Sequence, residues 1–164
     1  MYSKHSGKGA VNAIIPAYFF YEAELVEDAW RLPCTTIILL VSALYYGKEG
    51  MVSHDMYFVG FPVMWNMVIF YLVFVVDFSS WANVMAILFF AALHFAPVKF
   101  VYPSRATRFR GLTISVTVLF ILSLLLILYW YPESPDWLRY FALLCAAYYG
   151  GMAIYDTWMI KDVE

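Results

Sequence analysis

Four cations, Lys99, Arg105, Arg108 and Arg110, crowd the segment that follows an apolar run ending near Val98. Guanidinium groups grip phosphate through a bidentate fork and an ammonium does so as a point charge, so this cluster suits a phosphate or diphosphate group. It equally suits a topology anchor that attracts anionic lipid. A second polar stretch, from Gly47 to Phe61, holds Lys48, Glu49, Ser53, His54 and Asp55 beside Tyr57, Phe58 and Phe61. A polar loop with an aromatic rim is a candidate headgroup site, although aromatic residues also form belts at membrane interfaces. Zinc-ligand spacings, a nucleophile elbow, a dinucleotide fingerprint and a P-loop are all missing, so hydrolase, dehydrogenase and NTPase readings have no support. Cys34 and Cys145 lie inside apolar runs with no neighbouring His or Cys and read as small packing residues.

The elements that must position these groups are apolar. Hydrophobic residues make up 64% of the 164-residue chain and charged residues 13%, about half the roughly 25% charge of an ordinary soluble domain. The composition predicts an integral membrane protein of the all-α class, a polytopic transmembrane helical bundle of about six spans forming a single domain over residues 1–164. A net charge of -2 gives no reason to expect nucleic acid as a partner. The apolar segments fall at 9–25, 31–47, 61–78, 81–99, 112–131 and 137–157. Crossing a hydrocarbon core of about 30 Å takes around 20 helical residues. Gly111 to Tyr131 carries no charge and is the clearest span, while Pro16, Glu22 and Glu24 make the first one short or truncated. Gly150, Gly151 and the alanines Ala82, Ala86, Ala91 and Ala92 offer small surfaces for helix packing. His94 reads as a neutral, hydrogen-bonded packing histidine, Asp77 and Asp156 as interfacial residues, and Asn66 as the intramembrane polar residue most in need of a partner.

The stretch Phe58 to Asn66 reads F-x-G-F-P-x-x-W-N, at Phe58, Gly60, Phe61, Pro62, Trp65 and Asn66, and Pro97 to Arg105 reads PVKFVYPSR. The first block resembles the bacterial phosphatidylcholine synthases, a branch of the CDP-alcohol phosphatidyltransferase family. The second resembles that family's proline-and-basic segment after the next helix. The resemblance runs from about Asn12 to the end and corresponds to the C-terminal part of such an enzyme. The family's catalytic signature, D-G-x2-A-R-x8-G-x3-D-x3-D, belongs upstream, and no Asp-Gly pair occurs in these 164 residues. The resemblance implies transfer of a phosphatidyl group from CDP-diacylglycerol to choline, releasing CMP, with Mg2+ or Mn2+ held by signature aspartates that this chain lacks. It therefore implies no catalytic or metal-ligating residue here.

Substrate-binding residues implied by the two blocks and the adjoining loop are Asp55, Tyr57, Gly60, Pro62, Trp65, Asn66, Lys99 and Arg105. A quaternary ammonium donates no hydrogen bond and is held by aromatic faces and nearby carboxylate charge. Tyr45, Tyr46, Tyr57, Trp65 and Asp55 are the candidates for that cage. Expected partners are membrane lipid and either a second copy of the chain or a missing N-terminal half. Two rival readings remain: a phosphatidylserine synthase of the same superfamily, and a catalytically inactive membrane fragment or subunit.

With six spans, Lys4, Lys8, Lys48, Lys99, Arg105, Arg108, Arg110 and Lys161 share one side and only Arg31 and Arg139 the other, so eight of the ten Lys and Arg lie together. The positive-inside rule then places both termini in the cytoplasm, with the chain in a bacterial inner membrane. A fluorescent-protein fusion at the C-terminus is expected to fluoresce and an alkaline phosphatase fusion at the same point to be inactive; the reverse pattern would refute this orientation.

Overall fold

The computed structural model describes residues 6–47, 58–62, 64–100 and 109–159. In chain order the elements are α1 (Ser6–Glu22), α2 (Asp28–Gly47), β1 (Phe58–Val59), α3 (Trp65–Phe70), α4 (Ser80–Leu93), β2 (Lys99–Phe100), α5 (Arg110–Tyr129) and α6 (Asp136–Met159). A π-helical turn, Tyr71–Val75, extends α3. The chain divides into two compact units, one of Met1–Met51 with Phe61–Ala96 and the other of Val52–Gly60 with Pro97–Glu164.

In the first unit α1 packs against α2 and α3, and α2 against α4. Phe20, Cys34, Ile38, Trp65, Ile69, Val84 and Ile87 form its core. The end of this bundle at the α1–α2 turn is tied by polar groups. Asp28 opens α2 next to the positive end of the helix dipole and pairs with Arg31 at 2.7 Å, while Arg31 also reaches Glu24 at 3.5 Å. The Ser79 hydroxyl caps α4 by accepting from the Ala82 amide. Asn83, buried in α4, donates its amide to the Leu25 carbonyl at 2.8 Å and so fastens the turn to the helix. Thr35, Thr36 and Ser42 of α2 return their hydroxyls to carbonyls one turn back, so these three hydroxyls are paired within the helix.

The second unit contains the α5–α6 pair and a two-residue antiparallel bridge, with Phe58 opposite Phe100 and Val59 opposite Lys99. Helix α5 has the reverse polarity of a water-soluble helix. It buries Thr113, Ser123 and Ile127 and exposes Leu112, Ile114, Val118, Leu119, Ile121, Leu122 and Leu125. Its hydroxyls meet tyrosines of α6: Thr113 with Tyr148 at 2.8 Å and Thr117 with Tyr149 at 2.5 Å. Polar contacts between helices and apolar faces outward are what a hydrocarbon surrounding favours.

All six apolar segments become helical, so the helical class is borne out, with the short β bridge an addition that composition could not show. The expectation of six spans is met only in part. By length and composition, α2 and α5 are long and apolar enough to cross a membrane. The segments at 61–78 and 81–99 shrink to helices of Trp65–Val75 and Ser80–Leu93. Pro62 keeps the helix from starting earlier and Pro97 bars α4 from continuing past Ala96, because proline lacks the amide that continues a helix and pushes the preceding residue out of the helical region; the break after Val75 is set by neither. Cβ atoms added to Gly150 and Gly151 would meet nothing within 4 Å, so these glycines do not serve packing among the described residues, whereas Ala86 and Ala91 do pack. Asp77 is exposed and Asp156 is buried.

Asn83→Ala strands the Leu25 carbonyl, which is expected to cost about 1–3 kcal/mol. Thermal unfolding in detergent should show the lowered Tm, and an unchanged Tm would mean that this tie contributes nothing.

Candidate functional site

The turn from Gly60 to Trp65 is built by backbone geometry that its sequence requires. Gly60 has φ 84°, in the region where a side chain would be strained, and its amide donates to Val98 at 2.8 Å within the second unit. The Phe61 amide donates to the Leu93 carbonyl at 3.0 Å within the first unit, fastening the turn to the last residue of α4. Pro62 is half-buried, and its carbonyl accepts from the Met64 amide at 2.6 Å. Helix α3 then starts at Trp65.

Trp65 is fully buried, and its indole stacks on the imidazole of His94 with ring centroids 4.9 Å apart and planes 16° apart. Phe61 meets the same imidazole edge-on at 5.3 Å, and Tyr45 of α2 does so at 5.7 Å. Four aromatic rings, from α2, the half-buried turn residue Phe61, α3 and the residue that follows α4, therefore form one box. Its centre is taken by a side chain of this protein. His94 follows α4 directly and donates Nδ1–H to the Phe90 carbonyl at 2.6 Å, as expected of a hydrogen-bonded packing histidine. Since a carbonyl only accepts, this bond sets the proton on Nδ1.

The residues singled out from sequence are distributed unevenly around this box. Gly60, Pro62 and Trp65 shape the turn. Asn66 stands on the exposed face of α3, where its amide donates to Asn12 of α1 at 3.4 Å, supplying the partner expected for it. Asn66 also edges a groove of about 150 Å³ lined by Ile15, Pro16, Phe19, Ile69 and Phe70. That is below the roughly 300–1,000 Å³ of most small-molecule pockets. The backbone of Lys99 lies in β2 opposite Val59. Asp55, Tyr57 and Arg105 lie outside the described residues, as do Lys48, His54 and Arg108. Of the other cage candidates, Tyr45 is buried and Tyr46 exposed. Among the described residues no group of three or more His, Cys, Asp or Glu could hold a metal ion. Sequence reasoning missed the tie between His94 and the signature block, for which the linear spacing carries no signal.

Taken together, the helical fold, the outward apolar face of α5 and, among the described residues, two helices long and apolar enough to cross a membrane point to a membrane protein. Comparison with known proteins makes this specific. The chain is 33% identical over 143 residues to a phosphatidylcholine synthase of Pseudomonas aeruginosa, covering 87% of this chain and 60% of the relative. It is 30% identical over 135 residues to one of Rhizobium johnstonii (82% and 55%) and 33% identical over 126 residues to one of Brucella melitensis (77% and 45%). Over the matched stretch the chain is homologous to the phosphatidylcholine synthases. It spans about half the length of the curated relatives it matches. No protein-family model and no solved structure matches.

Trp65→Ala would remove the buried ring that stacks on His94 and is expected to cost about 3–5 kcal/mol. Asn66→Ala, at an exposed site with one long hydrogen bond, should cost within about 0.5 kcal/mol. Denaturant unfolding of the two variants side by side checks the contrast; equal losses would show that the box is not the stabilising feature of the turn.

Proposed function

We propose that the chain works in phospholipid biosynthesis as part of a phosphatidylcholine synthase, transferring a phosphatidyl group from CDP-diacylglycerol to choline. In that reaction the choline hydroxyl oxygen bonds to the phosphatidyl phosphorus, the diphosphate P–O bond breaks, CMP leaves, and the hydroxyl proton passes to a base. The observation that carries the reading is the likeness at 33% identity over 143 of 164 residues. An alignment of that length necessarily includes residues 58–105, hence both the Phe58–Asn66 and Pro97–Arg105 blocks.

In this reading Lys99 and Arg105 neutralise the diphosphate, Asp55 and Tyr57 face the choline cation, and Gly60, Pro62 and Trp65 hold the turn that carries them. Asn66, at the rim of an apolar groove, meets the polar end of the lipid. The Mg2+ or Mn2+ implied by the resemblance finds no donor set among the described residues, so no step is assigned to it here and its ligands would lie elsewhere. The six helices would form a bundle in a bacterial inner membrane with both termini cytoplasmic. The outward apolar face of α5 supports the membrane setting. The chain would work with a second copy of itself or with an N-terminal half that carries the aspartate signature.

Membranes containing only this chain, supplied with CDP-diacylglycerol, Mn2+ and labelled choline, are expected to yield no phosphatidylcholine, and co-expression with the N-terminal half of a phosphatidylcholine synthase should restore product. Absence of product in both, with no retention of labelled choline, would overturn the reading. In the restored system Arg105→Gln should raise KM for CDP-diacylglycerol roughly tenfold by removing a charge-assisted bond; an unchanged KM would remove Arg105 from the site.

A further inference from the structure

The box around His94 contains three polar atoms that its packing leaves without a bond. Tyr45 Oη, Trp65 Nε1 and His94 Nε2 are buried and have no hydrogen-bond partner among the described residues. Their side chains are 6%, 0% and 0% exposed, and both the tyrosine and the indole touch the imidazole. Burying such groups unpaired is costly, and native interiors almost always satisfy them. Three in one cluster is therefore a statement about what the cluster binds.

We propose that Tyr45, Trp65 and His94 form a buried site for a single hydroxyl group. The donor and acceptor pattern selects the ligand. Nδ1 of His94 carries the proton donated to Phe90, so Nε2 of the neutral ring can only accept. The indole N–H can only donate, and the tyrosine hydroxyl does either. A phosphate or carboxylate oxygen accepts only and would leave Nε2 unmatched, while a trimethylammonium group offers no donor to it. A hydroxyl group donates to Nε2 and accepts from the indole or the phenol, so it satisfies the set. Two sources have this chemistry, an internal water and the alcohol of a small substrate, which under the function proposed above is choline. The site itself does not depend on that function.

The test reads His94 directly. The chain has three histidines, His5, His54 and His94; carrying His5→Gln and His54→Gln, with imidazole labelled by nitrogen-15 and the full chain in lipid vesicles, it leaves one ring to observe by magnetic resonance. The expected ring is neutral and protonated on Nδ1, with Nε2 shifted upfield of a free acceptor by its hydrogen bond. Magnetisation transfer from water to the ring that survives choline supports the site with water as occupant. Transfer abolished by choline, but not by ethyltrimethylammonium, which lacks the hydroxyl, supports it with the alcohol as occupant. A ring protonated on Nε2, an imidazolium, or a free-acceptor shift with and without choline overturns the proposal. Binding of labelled choline to vesicles holding the unsubstituted chain is scored separately: its absence counts against the function above and leaves the water-bound site standing.

Discussion

The first unit is organised around the imidazole of His94, which lies face to face with Trp65 and edge-on to Tyr45 and Phe61. Through those rings it joins α2, the signature turn and α3 to the end of α4. The backbone reinforces the same junction, because the Phe61 amide is bonded to Leu93 immediately before the histidine. Aromatic pairs in such geometries contribute about 0.5–1.5 kcal/mol each beyond the area they bury. Their greater value here is directional: stacked and edge-on contacts permit few arrangements, so the turn has little freedom to move as long as the imidazole is in place.

This arrangement changes how the aromatic residues near the signature block are understood. Aromatic faces can cradle a cation, but the rings of Trp65, Tyr45 and Phe61 already pack against His94, Trp65 face to face. Their contribution is to hold the turn.

Helix α5 illustrates the other physical constraint on the chain, the surroundings its surface must satisfy. Leucines and isoleucines face outward along its length, and threonine hydroxyls turn inward to the tyrosines of α6. In water that polarity would expose a large apolar face with nothing to cover it. In hydrocarbon it costs nothing, and the internal hydroxyl pairs replace the bonds that water would otherwise make. Threonine and serine in the α2 sequence follow the same logic on a smaller scale, each returning its hydroxyl to its own helix.

Much of the fold was legible before any coordinate. Apolar runs long enough to be helices, interrupted by loops with charge and proline, set the number of helical segments and their order, because backbone groups among apolar side chains must bond within their own helix. The likeness of Phe58–Asn66 to a known family was carried by residue types at short range. Lengths were less legible: the helices of Trp65–Val75 and Ser80–Leu93 are shorter than hydropathy indicates, since an apolar residue can lie in a turn as well as in a helix. What only the tertiary structure decided is which distant residues meet. Tyr45, Trp65 and His94 come from separate elements, and no periodicity within one element encodes a contact made across three. Composition could bring each of them into an apolar interior; packing alone brought their rings together and left a buried polar atom of each without a partner.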